Sequence, residues 1–394
     1  MGDEDERVGA RRADGACQSL HLRPVPMGEH DVRRTPARGA PARLLADHDR
    51  SLRAGRIAWI ESPGIGGGRE TMGGAPVLSV CIVTYERPEF LERCLRSLDA
   101  GLSDDAEIVV VDASAADRRD IADGFARPIV YVHAPELAGW MTRSRNAALR
   151  HARGAIVSFL DDDVVLRPGW QAALLAAFAD AEVSAVSGRT CNGLPGEETY
   201  EKPIGRLLPD GTLTDGFASL PGGIVVVDHG IGANMSFRRS TLAELGGFRD
   251  DYPGTALRED TDVFLRVRAI GGRAIFAPDA AVDHLPAPHV RGARFDTRYK
   301  LYGRRNHMVL LARDGGIRSP LLRRWVGVQF RAVGRAGGLG ARLKRLGVTV
   351  VGVGWGAAAM LRSARWSPLP PRRVDALGRE LRATLGGRTE GVAP

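Results

Sequence analysis

The sequence of 394 residues has few cysteines and no long apolar run. Its four cysteines, Cys17, Cys81, Cys94 and Cys191, are spaced neither like metal ligands nor like a disulfide framework. The most apolar stretch, residues 346–361, is shorter than the ~20 residues that span a bilayer. These absences argue against a disulfide-stapled scaffold and a membrane-spanning helix. They favour a reducing, cytoplasmic compartment.

Acidic residues are missing from one part of the chain. Between Asp314 and Asp375 there is no Asp or Glu, but there are 12 Lys or Arg residues. The whole chain carries a formal charge of +8 and these residues contribute +12, so the remainder carries −4. We therefore predict that residues 314–394 form a basic helical extension with partners of its own.

The basic extension allows two interpretations. Residues 320–373 could lie on an anionic membrane surface, at the cytoplasmic face, with Trp325, Val326, Phe330 and Trp355 among the residues of its apolar side. Alternatively, these helices pack against the folded domain before them. A role as a nucleic-acid-binding module is disfavoured because the segment contains no recognised nucleic-acid motif, and we predict no nucleic-acid partner.

Residues 1–75 lack an apolar core. They consist of acidic and Arg-rich stretches followed by "GIGGGRETMGGAP", with no apolar segment typical of a signal peptide. Such a composition cannot bury enough apolar surface to fold alone, so we expect this extension to be disordered. Met72 is an alternative start because it directly precedes the first strand pattern.

Short apolar runs alternate with amphipathic stretches from residue 77 onward. The predicted strands are 77–83, 107–112, 128–132, 155–160 and 183–188. This alternation is typical of an α/β protein with a doubly wound, mostly parallel sheet flanked by helices. Ligands of such sheets bind beyond the carboxyl ends of the strands. Thr84, Asp112 and the acids at 161–163 lie at such ends, which predicts one site there.

Two further strands and two helices follow a polar loop. The predicted elements are a strand at 232–237, a helix at 241–245, a helix at 258–272 and a strand at 273–284. Ser240 is the predicted N-cap of the first helix, and Gly246-Gly247 is its predicted end.

Three carboxylates stand together in "FLDDDVV", directly after the fourth predicted strand. Like charges at a sheet edge repel, so a cation, a helix N-terminus or solvent should neutralise them. Two carboxylates one residue apart can share a hard divalent cation, with phosphate oxygens completing its coordination. The alternative is a solvated acidic turn or a helix cap.

The order of several motifs carries a family resemblance. These motifs are "VCIVTYERPEFLERCLRSL", "VVVDAS", "SRNAALRHARGAIVSFLDDD", "GIGANMSFRR", "RED" and "FAPDAAVDH". Together they resemble the family 2 glycosyltransferases with a GT-A fold, over residues 76–313. The resemblance implies an inverting, metal-dependent transfer of a sugar from a UDP- or dTDP-sugar to a saccharide or lipid-linked acceptor.

The resemblance also implies which residues bind the donor. Nucleotide contacts are implied at Thr84, Glu86, Asp112, Arg145, Asp161 and Asp162. Of these, Asp112 would accept the N3–H of uracil or thymine. Asp161, Asp163 and His284 would hold Mn²⁺ or Mg²⁺, with His289 as a rival to His284. Gly232, Ala233 and Asn234 would lie beside the donor sugar, although Asn234 also suits a turn.

The acidic pair Glu259-Asp260 matches the position of the general base. A sugar hydroxyl becomes a good nucleophile only when a carboxylate takes its proton in the transition state. We favour Asp260 as this base over Glu259. The alternative is that both acids complement the dipole of their own helix.

A second class of enzyme, the sugar nucleotidyltransferases, also binds a nucleotide and a metal on an α/β sheet. Such an enzyme is expected to have a Gly-rich loop with Lys or Arg directly after the first strand. Here that position reads "TYERPEF", which argues against it.

Overall fold

The computed structural model describes residues 76–199, 203–254, 256–285, 287, 296–362 and 383. The expected disorder of residues 1–75, the alternative ligand His289 and the last part of the segment 320–373 lie outside these residues.

The described residues form one mixed sheet with helices around it. The strands are β1 (Leu78–Thr84), β2 (Ala106–Asp112), β3 (Ile129–His133), β4 (Ile156–Asp161), β5 (Val164–Leu166), β6 (Val183–Cys191), β7 (Val225–Val226), β8 (Asn234–Arg238) and β9 (Arg273–His284). The helices are α1 (Pro88–Gly101), α2 (Arg119–Asp123), α3 (Met141–His151), α4 (Trp170–Ala177), α5 (Arg239–Leu245), α6 (Glu259–Ala269), α7 (Thr297–Gly315), α8 (Pro320–Gly334) and α9 (Leu339–Arg362).

The strand order is β3-β2-β1-β4-β8-β6-β9-β5, with β7 paired to β9. The first four strands are parallel, as the alternating pattern predicts. The second half differs from the simplest doubly wound sheet, because β8 lies antiparallel between β4 and β6. The predicted fifth strand, β6, therefore pairs with β8 and β9 and not with β4.

The parallel strands are mostly apolar because helices cover both of their faces. Val80 and Ile82 belong to one buried cluster, together with Leu91 of α1. Cys81, between them in the chain, points to the other face and packs in a second cluster with Leu149 of α3. Cys81 is therefore a small residue of the core. Each fully buried Leu or Ile of this kind stabilises the fold by roughly 1.5–3 kcal/mol.

The strand register brings the carboxyl ends together. Thr84 at the end of β1 lies beside Asp112 at the end of β2, and Val83 lies beside Asp161 at the end of β4. The parallel arrangement thus collects the predicted site residues at one edge of the sheet.

Helix α5 begins differently from the prediction. It starts at Arg239 and has Arg238 as its N-cap, with no capping hydrogen bond from a side chain, so the predicted cap Ser240 lies inside the first turn. The predicted end is correct. Gly246 adopts a left-handed conformation with φ 72°, which glycine tolerates without steric cost.

The last three helices pack on one another. This packing bears on whether the apolar side of the basic extension faces a membrane or the rest of the protein. Trp325 is buried and stacks on His307 of α7, while Trp355 of α9 contacts Tyr302 edge-on. Val326 also packs against this cluster. The predicted apolar side therefore serves largely as internal packing. None of the helices in the described residues combines the length and the hydropathy that a membrane crossing requires.

Candidate active site

The three consecutive acids point in different directions. Asp162 is fully buried, and its Oδ2 accepts a hydrogen bond of 2.6 Å from the hydroxyl of Thr84. Arg87 donates to the other oxygen. Burial raises the pKa of Asp162 to about 7, against the opposing effect of Arg87. Asp162 and Thr84 thus anchor the end of β1 to β4, and the predicted nucleotide contact of Asp162 does not fit its inward position.

Asp161 and Asp163 lie near a histidine from a distant strand. The antiparallel pairing of β5 with β9 sets Val164 opposite His284. As a result, the Nε2 atom of His284 lies 3.2 Å from the Oδ1 atom of Asp163. One potential ligand atom from each of Asp161, Asp163 and His284 falls within 4.8 Å of the others. We call these three residues the Asp-Asp-His cluster.

The hydrogen bonds around this cluster fit a divalent cation. The Nδ1 atom of His284 lies 2.9 Å from the amide oxygen of Asn192, which can only accept, so Nδ1 carries the proton and Nε2 faces Asp163. Arg87 donates to Oδ2 of Asp163 at 3.0 Å, whereas the buried Oδ1 receives no hydrogen bond of good geometry. Burial favours the neutral acid, but the positive charges of Arg87 and of His284, when its Nε2 is also protonated, outweigh burial and lower the pKa of Asp163.

A buried arginine joins the cluster to the first turn of α6. Arg145 is 1% exposed and donates to Glu259, to Asp161 at 3.3 Å and to the carbonyl oxygen of Gly232 at 3.2 Å. Burial raises the pKa of Glu259 to about 7 although Arg145 opposes the shift. Glu259 is therefore enclosed in an ion pair, which leaves it poorly placed to reach a substrate.

Asp260 is the more accessible of the two acids. Its Oδ2 accepts from the N–H of Gly232 at 3.2 Å, and its Oδ1 accepts from the N–H of Thr261 at 2.7 Å. The side chain is only half-buried. Two backbone donors fix the carboxylate beside Gly232 while leaving it open to solvent. Arg145 and Gly232 thus link Asp260 to Asp161.

The residues at the end of β2 form a second group of hydrogen bonds at this edge of the sheet. Asp112 is 1% exposed and accepts from the N–H of Ser114 at 2.8 Å and from the hydroxyl of Tyr131 at 2.7 Å. Glu86, with φ 55°, accepts from the N–H of Ala115 at 2.8 Å, while its own N–H donates to Ser114 Oγ at 2.7 Å. These contacts tie the loop after β1 to the loop after β2.

Several known proteins are similar to this chain in sequence. The sequence model of "Glycosyl transferase family 2" matches residues 79–246. The succinoglycan biosynthesis protein ExoM of Rhizobium meliloti is 28% identical over 55% of this chain and 69% of its own length. The pre-mycofactocin glycosyltransferase of Mycobacterium tuberculosis is 30% identical over 48% of this chain and 39% of its own length. Residues 79–246 therefore form a family 2 glycosyltransferase domain.

The fold of this glycosyltransferase is of the GT-A type, as the resemblance implies. The solved structure of GalNAc-T7 with UDP, GalNAc and Mn²⁺ superposes with a TM-score of 0.51 at 17% identity, over 76% of this chain and 60% of that one. The chain spans between 39% and 69% of the curated relatives described above. The sugar nucleotidyltransferase alternative is not supported.

The glycosyltransferase uses Asn234 differently from the prediction. Asn234 is 1% exposed, its amide NH₂ donates to the carbonyls of Arg189 at 3.0 Å and Ala280 at 2.9 Å, and its oxygen accepts from the indole of Trp170 at 3.2 Å. Its side chain is therefore a crosslink between strands and does not line the donor sugar. Ala233 is likewise buried in the core, which leaves Gly232 as the accessible member of the three.

Replacing Asn234 with alanine is expected to destabilise the glycosyltransferase by about 3 kcal/mol or more, because three buried polar groups lose their partners. Urea unfolding measures this, and the donor KM of the folded fraction should stay unchanged. Wild-type stability combined with a higher donor KM would contradict this role and would indicate that Asn234 contacts the donor sugar.

Two residues of the site were not predicted. Arg87, in "TYERP", supplies the positive charge that the three acids require, and its place directly after β1 was a usable signal. Asn192 orients His284, but it follows β6 and lies far from His284 in sequence. No local pattern reveals that pairing.

Replacing Asn192 with alanine is expected to weaken Mn²⁺ binding by about 10-fold or more, because loss of an orienting hydrogen bond to a histidine ligand typically has this effect. Calorimetric titration of Mn²⁺ in the presence of UDP measures the change. Leu194→Ala, at an exposed position in the same loop, is the matched control. Equal Mn²⁺ affinity in the two variants would contradict the orienting role.

Proposed function

We propose that this glycosyltransferase moves a sugar from a UDP- or dTDP-sugar to a saccharide or lipid-linked acceptor, with a divalent cation bound and with inversion at the anomeric carbon. The observation that carries the proposal is the arrangement around Arg145. This one side chain contacts Asp161 of the Asp-Asp-His cluster, and it contacts Gly232, whose N–H holds Asp260. A cation site and a candidate base thus lie on two sides of one guanidinium group.

Asp161, Asp163 and His284 would hold the cation, either Mn²⁺ or Mg²⁺. Oxygen ligands suit both ions, and an imidazole suits Mn²⁺ better. When bound, the cation supplies charge stabilisation to the diphosphate leaving group. Arg145 lies beside the same space, fixed by its ion pair with Glu259. Its positive charge would add to the stabilisation of the diphosphate, since no lysine appears in the sequence segment that would surround the phosphates.

Asp260 would take the proton of the acceptor hydroxyl. The hydrogen bonds from Gly232 and Thr261 keep its carboxylate in one orientation, so no reorganisation is needed when the hydroxyl loses its proton. Attack from the side of Asp260, opposite the departing diphosphate, produces inversion in a single displacement. Glu259 would act by fixing Arg145, and not as a second base.

The nucleobase would lie against the ends of β1 and β2. Asp112 remains our proposed acceptor for an N3–H group, which uracil and thymine share. Each carboxylate oxygen has two acceptor sites, so Asp112 can accept a further hydrogen bond beside those from Ser114 and Tyr131. Glu86, which is exposed at the same mouth, would approach the ribose.

One relative is named for succinoglycan biosynthesis, which favours a saccharide or its lipid-linked precursor as acceptor. We assign residues 76–313 to the catalytic domain and residues 314–394 to the basic extension. The four scattered cysteines favour a cytoplasmic setting, at the inner face of the membrane.

A donor panel tests the proposal. The full chain is incubated with UDP-, dTDP- and GDP-sugars, with Mn²⁺, with Mg²⁺ or with EDTA, and donor turnover is measured. We expect turnover of a UDP- or dTDP-sugar that EDTA abolishes, and an inverted anomeric centre in the product by NMR. Turnover that is unaffected by EDTA, or a retained anomeric configuration, would contradict the proposal.

A further inference from the structure

The first half of α9 presents an apolar stripe to solvent. Leu339, Leu343, Leu346 and Val350 are 74%, 59%, 39% and 52% exposed. Their spacing of four, three and four residues places them on one side of the helix. The second half of the helix packs on the protein, where Gly356 lies against Met308 of α7 and Val353 and Ala357 join an apolar cluster with Trp325. The stripe is therefore the part of α9 that extends beyond this packed half.

Positive charge surrounds this stripe. The exposed basic residues after α7 are Arg318, Arg323, Arg324, Arg331, Arg335, Arg342, Lys344 and Arg345. In the described part of the chain, none of the salt bridges involves a Lys or Arg beyond Arg313. The side chain of Phe330, 41% exposed near the end of α8, adds an aromatic group to the same basic segment.

We propose that the first half of α9, together with the end of α8, docks on an anionic lipid surface. A helix with exposed leucines and flanking cations, and without acids, has the composition of an interfacial helix. The leucine side chains would enter the acyl boundary while Arg342, Lys344 and Arg345 contact lipid phosphates. A nucleic acid would use the cations but would leave the four apolar side chains exposed, so a membrane explains more of the surface.

The other half of α9 connects this surface to the active site. Ala359 packs against a cluster that contains Tyr252 and Ala256, in the loop that leads into Glu259 and Asp260. Leu343 precedes Ala359 by 16 residues, and 16 residues of α-helix span about 24 Å. Docking would therefore fix the loop before Asp260 relative to the lipid surface, about 24 Å along the helix axis from Leu343. If the proposed transfer is correct, this geometry favours a lipid-linked acceptor.

Vesicle co-sedimentation of the full chain tests the docking surface without donor or acceptor, so it is independent of the proposed function. We expect binding to vesicles of phosphatidylcholine with phosphatidylserine, and little binding to phosphatidylcholine alone. The triple variant Arg342→Gln, Lys344→Gln, Arg345→Gln should partition on the order of 100-fold more weakly, at about 1 kcal/mol per charge. The double variant Leu343→Ser, Leu346→Ser should also lose binding, by at least about tenfold.

Matched controls exclude general effects of charge and hydropathy. Leu194→Ser with Leu220→Ser removes two exposed apolar residues elsewhere, and Arg93→Gln with Arg96→Gln removes two exposed charges from α1. Both controls should bind vesicles like the wild type. All substituted side chains are exposed, so melting temperatures should be unchanged. Equal binding by all variants, or binding to RNA that anionic vesicles fail to compete, would overturn the proposal.

Discussion

Replacing Asp163 with asparagine is expected to lower sugar transfer by on the order of 10³-fold and to remove metal-dependent binding of the nucleotide. Asn keeps the size of the side chain but loses the negative charge that would attract the cation. It also removes an oxygen that now faces His284 at 3.2 Å. Calorimetry with UDP, with and without Mn²⁺, separates the loss of metal from a loss of folding.

The neighbouring acid provides the control for this experiment. Asp162 is bound by Thr84 and Arg87 and belongs to no potential ligand set in the described residues. Asp162→Asn should therefore lower the melting temperature while the folded protein keeps its Mn²⁺ affinity. The opposite pattern, with Mn²⁺ affinity lost in Asp162→Asn and kept in Asp163→Asn, would show that the cluster has been assigned to the wrong acids.

Replacing Asp260 with asparagine is expected to lower kcat by about 10²–10⁴-fold with little change in the KM of the donor. The amide cannot accept the proton of the acceptor hydroxyl, but it can still accept the hydrogen bond that Gly232 donates. Binding of the donor should survive because the Asp-Asp-His cluster is untouched. Steady-state kinetics over a range of donor concentrations, with calorimetry of donor binding, measures both quantities.

Asp262, in the same helical turn, is the matched control. It is 2% exposed and accepts from the hydroxyl of Tyr252 at 2.9 Å and from Arg249 at 3.3 Å. Asp262→Asn should therefore destabilise the fold while the folded enzyme keeps most of its turnover. If Asp262→Asn lost more turnover than Asp260→Asn at equal folded fraction, Asp260 would not be the base.

The sequence predicts the parallel half of the sheet well because those strands are buried on both faces. The runs that become β1, β2 and β4 are continuous and apolar, so their pattern needs no information about partners. The position of β8 could not be predicted in this way. Its insertion between β4 and β6 depends on contacts between residues far apart in the chain.

The site residues show the same difference between what a local sequence pattern predicts and what depends on contacts between distant residues. The convergence of Thr84, Asp112 and the three acids follows from the general rule that strand ends meet at one edge. The direction of each carboxylate does not follow from it. Asp162 turns inward because Arg87 donates a hydrogen bond to it there. Arg87 belongs to the loop after β1, which is a distant part of the sequence. Asn234 is a similar case, since its three partners come from separate strands and helices.

In the basic extension, the packing of the helices decides which apolar residues stay exposed, and the composition alone does not predict it. Aromatic residues next to arginines suggest an apolar face toward a membrane, but Trp325 and Trp355 contact other helices. Of the residues that the sequence pattern indicates, Phe330 stays exposed, and leucines and a valine of α9 that the pattern does not indicate are exposed as well. A helix with apolar residues on several sides does not reveal which side its neighbours will cover.

Anomalous scattering from crystals of the full chain grown with MnCl₂ and UDP tests the central claim most directly. The account predicts one strong manganese peak within coordination distance of an oxygen of Asp163 and of the Nε2 atom of His284, with the diphosphate on its open side. A peak elsewhere, or UDP bound with no manganese between these residues, would contradict it.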